Sequence, residues 1–159
     1  MTSTNHTHAA HAAASILVRA DADQVFALLT DIDRLPNWNT ELTAVLERPD
    51  ELVPGAEWVV QMRAGGMTWP SRTRVLACDP HTRRFVHRSV SDDGNPSFTT
   101  WTWTVTEATG GARVTVSWDP NPRTFWRRHL VVHWRRRCLA RQVPRSLHAL
   151  AAALQPSSA

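Results

Sequence analysis

The chain has 159 residues, 42% of them hydrophobic, a size at which one domain buries most of its apolar surface around a single core. Its two cysteines, Cys78 and Cys138, show no Cys-x-x-Cys or Cys/His spacing, which excludes a disulfide framework and a cysteine-rich zinc site. We find no signal-peptide pattern and no apolar run of about eighteen residues, so we expect a cytoplasmic protein.

Charge and aromatic content are both unusual. The formal net charge is +4, every basic residue other than histidine is arginine, and no acidic residue follows Asp119. A basic C-terminal segment favours an anionic ligand, a membrane surface or a partner, with a solvated helix face as the alternative. No nucleic-acid partner is expected, because the arginines do not alternate with exposed aromatics on a binding module. Eight tryptophans without a tyrosine predict a core or pocket built from indoles.

The N-terminal residues 1–11 are small and polar, which predicts a mobile tail. We expect a single domain over 12–154 and a second short tail over 155–159. The tail histidines have no acidic or cysteine co-ligand, so no metal site is predicted there. No phosphate-binding loop or other cofactor motif occurs, and no cofactor is expected.

The first predicted elements are a strand containing Ile16 and Val18, then a short helix capped by Asp21 or Asp23. A second helical turn carries Trp38 inward. From about residue 42 to 118 the apolar residues alternate with polar ones, which is typical of half-buried strands, and turn residues separate the runs at hairpin spacing. These patterns predict an antiparallel meander. Its cavity-facing residues, with Trp38, are predicted to be Trp58, Met62, Trp69, Phe85, Trp101, Trp103 and Trp118.

The last predicted element is a long helix from Asn121-Pro122, read as an N-cap and first helical position, to about Leu154. A stripe of aliphatic residues in its C-terminal half is predicted to pack on the sheet. Extending this stripe toward the N-terminus makes four residues candidates for contacting a ligand, with solvent-facing side chains as the alternative. They are Phe125, His129, His133 and Arg136. The opposite face, with Trp134 and Cys138, would then suit a membrane surface or a homodimer partner.

Three segments carry a resemblance to a known family: residues 16–26, residues 31–38 (DIDRLPNW), and the strand around Trp101-Thr-Trp103 with its following Gly110-Gly111 turn. They resemble the START/Bet v 1-like (SRPBCC) superfamily, in its polyketide cyclase/dehydrase branch, over roughly residues 14–154. The resemblance implies an α+β helix-grip fold. In that fold a seven-stranded curved antiparallel sheet wraps around a long C-terminal helix, and two short helices lie between strands 1 and 2.

Within this branch the chain is similar to bacterial aromatase/cyclases of secondary metabolism. That similarity implies cofactor-free aldol cyclisation and dehydration of a hydrophobic, polyketone-like molecule in an internal cavity. A non-catalytic carrier of a lipid, quinone or other hydrophobic metabolite is the alternative. The tyrosine that such enzymes often place after the second helix is absent, and the nearby residues are Glu41, Leu42 and Thr43.

Cyclisation needs a donor that stabilises an enolate oxygen and a group that moves protons. The resemblance implies that Arg74 and Arg88 are pocket arginines, and His87 and His129 are the candidate proton carriers. Strict alternation along the strand sends Arg74 outward, whereas the resemblance sends it inward. A β-bulge near Pro70 would reconcile the two.

Overall fold

The computed structural model of the protein describes residues 12–91, 94, 96–123 and 132–155. The predicted N-terminal tail lies outside these residues. The elements follow in the order β1 (Ala12–Val18), α1 (Ala22–Thr30), a 3₁₀ turn (Ile32–Arg34), α2 (Leu35–Trp38), β2 (Leu42–Glu47), β3 (Glu57–Ala64), β4 (Met67–Asp79), β5 (Arg84–Ser91), β6 (Phe98–Ala108), β7 (Gly111–Asn121) and α3 (Val132–Ala153).

The seven strands form one antiparallel sheet in the order β1-β7-β6-β5-β4-β3-β2. Strands β2 to β7 are joined as successive hairpins, and β1 pairs with the last of them. Helix α3 packs against β1 and α2. This arrangement confirms the predicted helix-grip fold.

The junction of β1 with β7 depends on Gly111, the first residue of β7. Its φ is +150°, and a Cβ atom there would lie 2.0 Å from the carbonyl oxygen of Val18. Only glycine lets the two backbones approach this closely.

Helix α1 is capped at its N-terminus by Asp21, which follows β1. The carboxylate of Asp21 accepts hydrogen bonds from the backbone N–H of Asp23 and Gln24, which confirms one of the two predicted caps of α1.

One half of the interior is filled by aliphatic side chains, and we call this half the aliphatic core. Its members come from β1, α1, β6, β7 and the C-terminal part of α3, and each is at most 2% exposed. They are Val18, Val25, Val105, Val114, Val116, Leu147 and Leu150. Dense packing of this kind fixes the sheet and α3 relative to each other.

Strand β4 keeps a regular alternation through Pro70, so the β-bulge that would have turned Arg74 inward is absent there. The register of β4 with β3 is uninterrupted from Arg74 to Met67, and Ser71, Thr73 and Val75 are all buried. Among the described residues, the pairing of β4 with β5 begins at Ser71, which lies opposite Ser91. The observed register shift lies further along, between Val75 and Ala77.

The predicted start of the C-terminal helix is also wrong. Asn121 ends strand β7 and pairs with Phe98, so it is not a helix cap. An Asn-Pro pair can end a strand as readily as it begins a helix. Proline has no backbone N–H, so it cannot donate a hydrogen bond in a sheet or in the interior of a helix. Helix α3 is described from Val132 onward, and Phe125 and His129 lie outside the described residues.

Candidate ligand-binding site

A cavity of about 200 Å³ lies between the inner face of β3 to β6 and the helices α2 and α3. We call it the ring-lined cavity, because six aromatic side chains from α2 and the sheet line it. They are Trp38, Trp58, Trp69, Phe85, Trp101 and Trp103. Met62 also lines it, so seven of the predicted ligand-contacting residues are brought together in one place.

Strand register sets the order of these rings. Phe85 lies opposite Trp103 on the neighbouring strand, and His87 lies opposite Trp101. Cross-strand neighbours on one face are within side-chain contact, so the four rings form a continuous surface. The ring centroids of Trp58 and Phe85 are 6.0 Å apart in a stacked pair. This surface suits a flat, largely apolar molecule.

Two other tryptophans complete the aromatic cluster. The ring of Trp38, from α2, meets the ring of Trp103 edge-on with centroids 5.7 Å apart. Trp118 is 4% exposed, and its ring centroid lies 6.0 Å from that of Trp101. Trp118 lies directly opposite Trp101 on the neighbouring strand, so it supports the wall from the side and, contrary to the prediction, does not line the cavity.

His87 is the polar centre of the ring-lined cavity. Its Nε2 atom accepts a hydrogen bond of 3.2 Å from the indole N–H of Trp103. Its Nδ1 atom is shielded from solvent and has no hydrogen-bond partner among the described residues. Rings surround the imidazole, with the centroid of Phe85 at 5.0 Å and that of Trp58 at 5.3 Å.

These contacts determine the charge and the tautomer of His87. Burial lowers the pKa of its imidazole from 6.5 to about 3, so the ring is neutral at physiological pH. Because Nε2 accepts a hydrogen bond, the single ring proton resides on Nδ1. His87 therefore presents an unused N–H donor, which differs from the proton-carrying role expected from the sequence.

Further polar groups line the same cavity. The indole N–H of Trp101 donates to the Ser89 hydroxyl oxygen at 3.0 Å, which leaves the hydroxyl hydrogen of Ser89 free to donate. The indole nitrogen of Trp38 is buried without a partner among the described residues. Glu41 also lines the cavity, and burial raises the pKa of its carboxyl group, opposed by the charge of Arg145. The interior thus offers several donors and one carboxyl group.

Helix α3 presents a different face to the cavity than the sequence predicted. The cavity-lining residues are Trp134, Arg135, Cys138, Leu139 and Gln142. The predicted residues His133 and Arg136 are exposed and do not line the cavity. The aliphatic stripe continues from Leu139 by four residues to Arg135, whereas the prediction continued it by three to Arg136. Continuing the stripe to Arg136 instead of Arg135 turns the predicted inner face of the helix by about 100°.

The two predicted pocket arginines point away from the cavity. The Arg74 side chain is 62% exposed and forms an ion pair of 2.6 Å with Glu57 on the outer face. Arg88 pairs with Arg74 across the strands and is exposed, its guanidinium 4.1 Å from the ring centroid of Phe98. With no bulge at Pro70, the alternation of β4 is intact and sends Arg74 outward. The inward placement implied by the resemblance is therefore wrong for both residues.

The sequence prediction missed Glu41 as a cavity residue, together with Cys138 and Gln142. In the sequence, Glu41 is marked only by its place near the position of the missing tyrosine. A signal for the other two existed, since Cys138, Leu139 and Gln142 have the spacing of a single helix face.

The fold and the cavity can be compared with known proteins. The sequence matches the family model described as polyketide cyclase / dehydrase and lipid transport over residues 9–155. The chain belongs to this family. No functionally curated protein matches it by sequence.

Solved structures with the same fold span several kinds of protein. The protein CV1439 from Chromobacterium violaceum is 20% identical, with a TM-score of 0.68 over 92% of this chain and 98% of that one. The di-domain ARO/CYC protein StfQ from the steffimycin biosynthetic pathway is 14% identical, with a TM-score of 0.72 over 89% of this chain and 49% of that one. Ara h 8.0201 is 15% identical, with a TM-score of 0.69 over 90% and 95%.

A second di-domain ARO/CYC protein, BexL from the BE-7585A biosynthetic pathway, is 22% identical with a TM-score of 0.70, over 89% of this chain and 45% of that one. This family member therefore spans about half of each di-domain protein. At these identities the likeness establishes the fold. The family match supports a cyclase-like or hydrophobic-ligand-binding role. None of the described helices is both long and apolar enough to cross a membrane.

Proposed function

We propose that the protein binds a flat, largely apolar small molecule that carries a carbonyl oxygen, and that His87 donates a hydrogen bond to that oxygen. The observation that carries this proposal is the shielded Nδ1 of His87, which has no partner among the described residues. An unpaired buried donor costs roughly 1–3 kcal/mol, and a ligand oxygen would remove that cost. The surrounding rings would bury the apolar body of the ligand.

A shape-matched pair of probes tests the hydrogen bond. The probes are 1-tetralone and tetralin, which share a two-ring skeleton and differ by one carbonyl group. The wild-type protein is expected to bind 1-tetralone about threefold to tenfold more tightly by isothermal titration calorimetry, the value of one neutral hydrogen bond.

Substituting His87→Phe keeps a ring and removes the donor, so the preference for the ketone should disappear while tetralin still binds. His133→Phe is the matched control, since His133 is exposed on α3 and outside the cavity, and it should keep the wild-type preference. Equal affinity of the wild type for the two probes, or an unchanged preference in His87→Phe, would show that the imidazole does not bind the carbonyl group.

A second function, ketone activation by a cofactor-free cyclase, is favoured by one observation. Glu41 and His87 line the same cavity, and burial raises the pKa of the Glu41 carboxyl group toward the range of a general base. Proton removal next to a carbonyl needs a base together with a donor to the developing enolate oxygen. In this proposal Glu41 removes the proton and His87 stabilises the oxygen. The di-domain neighbours from biosynthetic pathways support the same reaction class and a place in secondary metabolism.

The elementary step can be measured without the natural substrate. The protons next to the carbonyl of 1-tetralone should exchange with deuterium in D₂O faster with the protein than without it, as followed by NMR. Glu41→Gln is expected to lower the protein-dependent rate about a hundredfold. Glu51→Gln alters an exposed carboxylate outside the cavity and should leave the rate unchanged. Tight binding without accelerated exchange would favour the carrier function over the cyclase.

A further inference from the structure

The outer face of α3 carries an exposed tryptophan in line with three exposed arginines. Trp134 is 65% exposed, although its ring borders the mouth of the ring-lined cavity. Arg137, Arg141 and Arg145 are also exposed and follow it at spacings of three, seven and eleven residues. At 100° per residue these four side chains form one stripe along the helix, which we call the basic stripe.

The charge of this surface is one-sided. Helix α3 contains no aspartate or glutamate over its whole described length. The ion pairs that neutralise arginines elsewhere, such as Arg74 with Glu57 and Arg83 with Asp23, lie on the sheet and on α1. An exposed row of guanidinium groups on a helix without acidic residues attracts an anionic surface.

A second exposed apolar side chain lies on a hairpin that forms part of the cavity wall. The hairpin between β3 and β4 contributes Ala64 and Trp69 to the cavity wall, and Met67, at its turn, is 68% exposed. Trp134 and Met67 are thus two large exposed apolar side chains on elements that form the wall of the cavity. Exposed apolar side chains beside arginines are typical of surfaces that lie in the interface of a bilayer.

We propose that the basic stripe and the β3–β4 turn dock on an anionic lipid membrane with the mouth of the cavity toward the bilayer. Tryptophan and methionine would enter the headgroup region, while the arginines contact lipid phosphates. An acidic protein is the alternative partner for the arginines, but it gives no reason for the exposure of Trp134 and Met67. This inference goes beyond the proposed ligand function, since docking does not depend on what the cavity holds.

Vesicle sedimentation tests the proposal. The purified protein is expected to bind vesicles of phosphatidylcholine and phosphatidylglycerol at a 3:1 ratio at low salt, and to bind pure phosphatidylcholine vesicles at least tenfold more weakly. The combined substitution Arg137→Gln, Arg141→Gln and Arg145→Gln should lower binding to the anionic vesicles at least tenfold. Trp134→Ala should lower it severalfold and leave the salt dependence unchanged.

A matched variant separates the stripe from net charge. Arg19→Gln, Arg84→Gln and Arg113→Gln remove the same charge from exposed positions at the other end of the sheet and should bind vesicles like the wild type. Equal loss in both triple variants, or no binding of the wild type to anionic vesicles, overturns the proposal. Binding to poly-glutamate that depends on the stripe, without binding to vesicles, would assign this face to an acidic protein instead.

Discussion

The aliphatic core and the ring-lined cavity occupy the two halves of one sheet interior, yet they are built from different side chains. Branched aliphatic residues from β1, α1, β6, β7 and α3 fill the first half. The second half is lined by rings, hydroxyl groups, one imidazole and one carboxyl group. The residues of the aliphatic core are at most 2% exposed, whereas the second half leaves a space of about 200 Å³.

The two halves also differ in their buried polar groups, which lower the stability of the fold when they have no hydrogen-bond partner. Among the described residues, three buried polar side-chain atoms have no hydrogen-bond partner, and all three belong to the aromatic half, in Trp38, His87 and Trp118. Buried donors of this kind are rare in proteins and are costly to maintain. Their confinement to the cavity and its supporting wall indicates that this half is shaped for something other than stability.

The largest difference between the halves should appear on truncation in the aliphatic core. Leu147 is 2% exposed, so Leu147→Ala removes packed atoms and is expected to lower the free energy of unfolding by about 2–5 kcal/mol in urea denaturation. The affinity for 1-tetralone should change less than twofold, because Leu147 does not line the cavity. Leu46→Ala, at a position 51% exposed, is the control and should cost less than about 0.5 kcal/mol. A loss of affinity in Leu147→Ala would mean that the two halves are not separable.

Low pH should destabilise the protein through His87, in the aromatic half of the interior. The pKa of His87 is about 3 in the folded protein and near 6.5 when unfolded, so the unfolded chain takes up the proton first as the pH falls. The stability contributed by the neutral imidazole is present above pH 6.5 and is lost progressively toward pH 3. Between pH 6.5 and 4 this amounts to about 3 kcal/mol.

The measurement is urea unfolding across that pH range. His87→Gln should flatten the pH dependence, and His133→Gln, at an exposed position, should not. A wild-type slope no steeper than that of His87→Gln would mean that the imidazole is solvated in the folded state.

The smallest effect is expected on the outer face of the sheet. Arg74→Ala breaks an ion pair with Glu57 in which the arginine is 62% exposed, and such pairs contribute about 0–1 kcal/mol. We expect a change of that size in the free energy of unfolding and no change in the affinity for 1-tetralone. A large loss of ligand affinity would contradict the outward position of this arginine.

The strands and their inner faces could be predicted because alternation is a local property that each strand carries in its own residues. The case of Arg74 shows its strength, since alternation placed this residue correctly while the family resemblance did not. The helix phase was harder to predict. On the N-terminal side of Leu139, the aliphatic stripe can continue to either Arg135 or Arg136. The two residues are identical, so hydropathy gives no reason to prefer one. Glu41 follows an irregular segment without periodicity, and its burial depends on α3 packing nearby, which is a tertiary effect.

The indole cluster also makes this protein a reporter on its own cavity. The sequence has no tyrosine, so its near-ultraviolet fluorescence comes from tryptophan alone. Seven of the eight indoles line the cavity or support its wall, and two pairs have centroids within about 6 Å, at 5.7 and 6.0 Å. Indoles this close exchange excitation energy, so a ligand that contacts any one of them should quench or shift the emission of the whole group. Occupancy of the cavity can therefore be followed by intrinsic tryptophan fluorescence, without an added label.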